Sequence, residues 1–212
     1  MKVYENIYQK ICSLDNLILA WERAKKRKTK RRYVKRFQKN LRYNLLKLQD
    51  ELISQIYHPN KLKTFILRDP KTRKISKSTF RDRVVYHALC NIIVPVLSSS
   101  FIYDSHANRV GKGTHKALER FDEFKRKVSK NNTRTCFVLK ADIKHYFEEV
   151  DHEILIKIIE RKIKDKKVIW LIEQILNNLP AGKLGGGGEG FFIQGDAPWK
   201  LNKPIFCKCL SE

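Results

Sequence analysis

Acidic residues are the scarcest large class in this chain: 22 Asp and Glu stand against 45 Lys and Arg, a formal net charge of +23. So one-sided a balance points to a polyanionic partner. Nucleic acid is the commonest, because each neutralised phosphate releases condensed counterions; the plainer alternative is a generally basic, solvated surface. Long apolar runs are lacking too. The longest uncharged one, Ala88 to Tyr103, contains Asn and Ser and stops short of a spanning helix, so no membrane is expected. The N-terminus has no apolar stretch followed by a small-residue cleavage site, which disfavours a signal peptide and suggests a cytoplasmic protein. Cysteine is sparse and irregular. Cys12, Cys90, Cys136, Cys207 and Cys209 make an odd set with no disulfide framework, and Cys207-Lys208-Cys209 lacks the second pair that a zinc site needs.

At 212 residues, 42% of them hydrophobic, the chain is long enough to bury a core in one domain with appendages. Residues 1–58 read as helical, with Ile7, Ile11, Leu14, Leu17, Ile18 and Trp21 at three- and four-residue spacing. Between Arg23 and Arg42 stand 12 cations, and no acid follows until Asp50. Such a segment repels itself unless a polyanion is near, which makes Lys25, Lys26, Arg27, Lys28, Lys30, Arg31 and Arg32 candidate nucleic-acid contacts. Tyr33, Phe37 and Tyr43 interleave with the charges; they either stack on bases or face the core of a helical pair.

Further along, KLKTFILRDPKTRKISKS at 61–78 predicts a basic β-hairpin turning at Asp69-Pro70, with Arg68, Lys71, Arg73, Lys74 and Lys77 at its tip and flanks. Thr79 predicts a helix N-cap, followed by Val84, Val85, Ala88, Leu89, Ile92 and Ile93 on one face. SHANRVGKGTHKAL at 105–118 is a loop entering a helix. Gly111 and Gly113 give it backbone freedom, but it misses the phosphate-loop spacing. Residues 135–143, TCFVLKADI, predict a buried strand ending at Asp142, either a metal ligand or a turn residue. Asp151 predicts the cap of one long helix, apolar on more than one face, with residues from Ile154 to Leu176 available for burial. From Leu179 onward, most of the chain's glycines and half its prolines predict an irregular tail.

Three blocks in order resemble the N-terminal half of bacterial reverse transcriptases of the group II intron, retron and diversity-generating retroelement kind. RDPKTRKISKSTFRDRVVYHAL at 68–89 resembles the first fingers block, and FIYDSHANRVGKGTHKAL at 101–118 the second. LKADIKHYFEEVDHEIL at 139–155 resembles the first catalytic block of the palm. The resemblance implies an RNA-directed DNA polymerase, in which fingers and palm clasp an RNA template, a DNA or RNA primer and an incoming deoxynucleoside triphosphate. Asp142 then matches the first catalytic carboxylate, holding Mg²⁺ together with the backbone carbonyl of Ile143. Phe147 matches the aromatic gate against a ribose 2′-hydroxyl. Arg68 and Arg73 match the cations that clamp the triphosphate, and Arg81 and Arg109 match residues that position template backbone or brace the fingers.

Complete members also carry a Tyr-x-Asp-Asp hairpin and a thumb, and neither follows in this sequence. Written in one permitted set of codons and read one base later, WKLNKPIFCKCL at 199–210 becomes GNLTSQYFANVY, which resembles the family's next block in its diversity-generating variant. The expectation is therefore a truncated or frameshifted chain, inactive as it stands, with faces of its last helix left uncovered. The fold expected is α+β: a basic helical extension at 1–58, polymerase fingers at 59–134, a partial palm at 135–178 and a Gly-rich tail at 179–212. The alternative is a non-catalytic RNA-binding module needing no metal; a basic structural protein of a ribonucleoprotein is a third reading. The template RNA and any accessory protein are not legible.

Overall fold

Ser13 separates the first two helices, α1 (Tyr8–Cys12) and α2 (Leu14–Lys25), by capping the second, its hydroxyl accepting the Asn16 N–H at 3.3 Å. The computed structural model describes residues 3–68, 72–107, 109–141, 150–178 and 191–192. The expected stripe is inside at Ile7, Ile11, Leu17 and Trp21, with Leu14 half-buried and Ile18 at the rim. Two more helices follow, α3 (Arg32–Lys39) and α4 (Leu41–Ile53). The corner between them is tied by Asn44, whose Nδ2 donates to the Phe37 carbonyl at 2.9 Å.

The hairpin forms where its turn residues predict. β1 (Lys63–Arg68) pairs antiparallel with β2 (Thr72–Lys77), in register from Lys63 opposite Lys77 to Arg68 opposite Thr72. A two-residue strand, β3 (Phe191–Phe192), lies parallel to β2 at Lys74 and Ile75. The tail, expected to be irregular throughout, thus supplies a short sheet strand, since β2 offers its second edge to any extended backbone that reaches it.

The central element is α5 (Phe80–Ser98), buried without a break from Asp82 to Cys90. Val84, Val85, Ala88, Leu89 and Ile93 pack in one cluster with Ile11, Leu17, Leu45, Leu48 and Leu52. Each such side chain contributes roughly 1.5–3 kcal/mol of burial. Asn16 stitches α2 to α5, donating from Nδ2 to the Ile11 and Ala88 carbonyls, both at 3.0 Å, and accepting from Asn91 Nδ2 at 2.8 Å.

The long helix expected after Asp151 is two helices, α7 (His152–Glu160) and α8 (Lys166–Asn177), each with its own aspartate cap. Asp165 caps α8 through the Lys167 N–H at 3.1 Å and accepts the Tyr8 N–H at 2.9 Å, while Tyr4 bridges Ile163 in parallel. These long-range bonds need a non-helical backbone at 163–165 and so break the helix. Leu155, Ile159, Ile163, Leu171, Ile172 and Ile175 are buried, so the apolar faces expected to stand uncovered are largely inside.

Exposed apolar surface lies elsewhere. The strand expected at 135–143 is absent among the described residues 135–141, where Phe137 and Leu139 are 95% and 92% exposed. β-branched and aromatic composition does not hold a strand without a neighbour to complete its ladder. Helix α6 (Thr114–Val128) has no buried residue and shows Leu118, Phe121, Phe124 and Val128 along one stripe. No helix among the described residues is long and apolar enough to cross a membrane.

Candidate nucleic-acid interface

The basic segment is held on the fold by its apolar minority. Val34 is wholly buried, and Tyr33 and Phe37 lie half-buried against Phe80 with ring centroids at 5.9 and 5.2 Å. A helix anchored on 33, 34 and 37 must present its other positions outward. Arg32, Lys35, Arg36 and Lys39 are accordingly exposed, as is Arg42 at the start of α4. The α2–α3 turn adds exposed Lys26, Arg27, Lys30 and Arg31, with Arg27 in left-handed backbone at φ 61°. Lys25 and Lys28 are half-buried, and the Lys25 ammonium sits 3.5 Å from the centroid of the Trp21 ring. Of the three interleaved aromatics, Tyr33 and Phe37 take the core reading. Tyr43 is 65% exposed and free to stack.

The hairpin joins this surface at its base, where the Lys77 ammonium lies 4.8 Å from the Tyr33 ring centroid. Arg68 is exposed at the far end of β1, and Arg73 stands in β2 opposite Leu67. The pairing brings both arginines to the turn end of one hairpin.

Two half-buried arginines of the first two sequence blocks, Arg81 and Arg109, make contacts within the fold. The Arg81 guanidinium pairs with Glu51 and with Asp82 Oδ1 at 3.0 Å, donates to the His58 carbonyl at 3.3 Å and stacks 4.9 Å from the Tyr57 ring. It braces α4 to α5. Arg109 donates from Nη1 to the Ile102 and Ser105 carbonyls at 3.4 and 3.5 Å, stabilising the loop before α6. In the same loop Lys112 reaches the Tyr103 carbonyl, and Arg120 bonds Asp104 at 2.8 Å and Glu123 at 2.6 Å. The Arg120 hydrogen bond holds the Asp104 carboxyl below its usual range. Gly111 and Gly113 have φ of 74° and 140°, the backbone freedom expected of them.

A buried polar node was not foreseen. The wholly buried Asp82 carboxylate accepts from Thr79 Oγ1 at 2.5 Å, Tyr57 Oη at 3.0 Å, Arg81 Nη1 at 3.0 Å and Asn60 N at 3.2 Å. Thr-x-x-Asp at 79–82 is a capping-box spacing, a signal that was present in the sequence. Burial, with Asp82 beside it, pushes the Tyr57 phenol far above its ordinary range. Asp142, Ile143 and Phe147 lie outside the described residues. Among the described residues, no group of three His, Cys, Asp or Glu is placed to hold a metal ion.

No family model matches the chain. Nuclear intron maturase 1, mitochondrial, of Arabidopsis thaliana is 29% identical over 109 residues, covering 50% of this chain and 14% of the relative. Protein YkfC of Escherichia coli K12 is 27% identical over 158 residues, covering 72% and 41%. The group II intron-encoded protein LtrA of Lactococcus lactis is 26% identical over 133 residues, covering 61% and 21%. The chain thus spans less than half the length of each of these relatives. At modest identity, it is related to intron maturases and group II intron-encoded proteins, in keeping with the reverse-transcriptase blocks of its sequence.

Proposed function

We propose that this chain binds structured RNA, of the intron class that its relatives' names indicate, through the cationic face of α3 and the α2–α3 turn. The observation that carries the reading is the division of labour within the basic segment. Tyr33, Val34 and Phe37 fix the helix to α5, while Arg31, Arg32, Lys35, Arg36 and Lys39 are exposed. Cations held at fixed positions lose less entropy on meeting phosphates than the same cations on a loose tail. The β1–β2 hairpin, with Arg68 at the end of β1 and Arg73 in β2, adjoins this surface at Lys77.

The second reading is deoxynucleotide transfer in a longer protein carrying a second acid pair. It is supported by the third sequence block and by the group II intron-encoded relatives. In that protein Asp142 and the Ile143 carbonyl would hold Mg²⁺, which would supply charge stabilisation at the transferring phosphoryl group. Arg68 and Arg73 would clamp the triphosphate, and Phe147 would exclude a 2′-hydroxyl.

RNA affinity measured by fluorescence anisotropy between about 50 and 200 mM salt tests the first reading, with an expected log–log slope of about −0.7 to −0.9 per phosphate neutralised. Replacing Arg31, Arg32, Lys35 and Arg36 together with Gln should flatten that slope by about 3. An unchanged slope with the fold intact removes this face from the interface.

A further inference from the structure

Arg83 and His87 stand one helical turn apart on α5 and therefore share a face. Arg83 is only 2% exposed, its guanidinium lying 5.0 Å from the Tyr33 ring centroid and 5.4 Å from that of Phe80. Aromatic faces attract the cation but leave its in-plane N–H donors unsatisfied. Arg83 Nε and Nη1 are buried without a hydrogen-bond partner, and His87 Nε2 on the next turn is in the same condition.

The charges around this seam have one sign. Lys28 and Arg23 act on His87 from the α2–α3 side, and Lys77 reaches the ring on which Arg83 stacks. The adjacent carboxylate, Asp82, is committed to Thr79, Tyr57, Asn60 and Arg81. Arg81 shows the ordinary solution, a half-buried guanidinium met by Glu51 and Asp82. No ion pair or hydrogen bond joins Arg83 to any acid among the described residues. A desolvated, unpaired cation beside other cations is a costly arrangement that an anion in the seam would relieve.

We propose that the seam between α5 and the α2–α3 turn binds one phosphate-class oxyanion, against the Arg83 guanidinium and His87 Nε2, with the Lys28 and Arg23 charges beside it. A guanidinium and an imidazole on successive helical turns, with further cations beside them, suit an anion that offers acceptor oxygens in several directions and more than one negative charge. A phosphate has four tetrahedrally placed oxygens and a charge approaching −2; a carboxylate has one charge and its acceptors lie in one plane. The phosphate is either a free ion that consolidates the turn or a backbone phosphate of RNA seated by the adjoining basic face. Only the second source rests on the RNA-binding reading.

Titration of the full chain with inorganic phosphate, at ionic strength held constant with potassium chloride, tests the site by calorimetry and ³¹P line broadening. Saturable binding is expected, weakened at least about tenfold in Arg83→Met and in His87→Gln, while Lys35→Gln leaves it unchanged. If Arg83→Met does not fold, His87→Gln and the unmodified chain decide. A response to phosphate no larger than to chloride overturns the site, as does full phosphate affinity in folded Arg83→Met or in His87→Gln. RNA affinity measured with and without saturating phosphate separates the sources. Competition assigns the seam to a backbone phosphate, and RNA binding indifferent to bound phosphate assigns it to the free ion. Loss of RNA binding with phosphate binding intact overturns the proposed function and leaves this site standing.

Discussion

Tyr57 donates its phenolic hydrogen to Asp82 Oδ1 at 3.0 Å, and both residues are wholly buried. The bond joins the segment after α4 to the first turn of α5, which also receives the Thr79 hydroxyl and the Asn60 amide. A carboxylate with this many donors is structural: it fixes where the central helix begins, and with it the placement of Tyr33 and Phe37 on Phe80.

Tyr57→Phe keeps the ring and deletes one donor to a charged, buried acceptor. The expected loss is about 1.5–3 kcal/mol, read as a lower urea midpoint at unchanged m. Asp82→Ala should cost more, because it also removes the acceptor of Thr79 Oγ1 and the Asn60 amide and leaves Arg81 with Glu51 as its one carboxylate. A midpoint for Tyr57→Phe equal to the parent's would mean that the node is not holding α5.

The aromatics of the basic segment separate by burial, and their substitutions should separate by assay. Phe37→Ala removes a ring packed edge-on to Phe80 at 5.2 Å and should lower stability by about 2–4 kcal/mol. Tyr43→Ala touches little of the core and should leave the urea midpoint nearly unchanged. If Tyr43 stacks on a base, its removal weakens single-stranded RNA binding by about 1–3 kcal/mol at constant salt slope. Stability loss in Tyr43→Ala, or none in Phe37→Ala, would reverse the assignment.

Much of the helical framework was legible because its signals are local. Thr79 and Asp151 are side-chain caps, the three-to-four spacing of Ile7, Ile11 and Leu17 marks a buried stripe, and the two short runs of 61–78 pair as the strands of a hairpin. What was not legible depends on distant partners. Nothing near Ile163 announces that Tyr4 will bridge it and split the helix after Asp151. The run at 135–141 has the composition of a strand, but a strand exists only where another supplies its ladder. At the candidate interface, the sequence showed a density of cations without their directions. Arg81 and Arg109, which resemblance allowed either on template backbone or bracing the fingers, both make contacts within the fold, to Glu51, Asp82 and the His58 carbonyl and to the Ile102 and Ser105 carbonyls. Arg83 drew no notice, since a lone arginine in a helix carries no sign of burial.

His87 should make stability depend on pH. Burial foremost, then the charges of Lys28, Arg23 and Arg83, push its pKa down to about 4 from an ordinary value of 6.5. Between those values the unfolded chain binds a proton that the folded chain refuses, so stability rises with pH through this window. The contribution is complete above about pH 6.5, falls away as pH drops toward 4, and changes no further below that. At roughly 1.4 kcal/mol per unit, the loss across the window is on the order of 3 kcal/mol. Urea titrations of the parent and of His87→Gln at several pH values check this. The substituted chain should be flatter between pH 6.5 and 4, and parallel curves would place the titration elsewhere.

The polymerase reading rests on Asp142, and its test requires a longer protein that carries this segment with a second acid pair. In such a protein Asp142→Asn is nearly isosteric but removes a charge from the metal-holding set. Two-metal phosphoryl transfer draws its acceleration from holding cationic charge where the transition state becomes more negative, and the carboxylates are what hold the cations there. Deoxynucleotide incorporation on an RNA template should therefore fall by at least about a thousandfold, while RNA affinity and its salt slope stay as in the parent, because the basic face on α3 is unchanged. Arg68→Ala should instead raise KM for the deoxynucleotide, since it removes a contact to the bound triphosphate. Incorporation by Asp142→Asn within about tenfold of the parent would make Asp142 an ordinary residue at the end of its segment and leave RNA binding as the role of this chain.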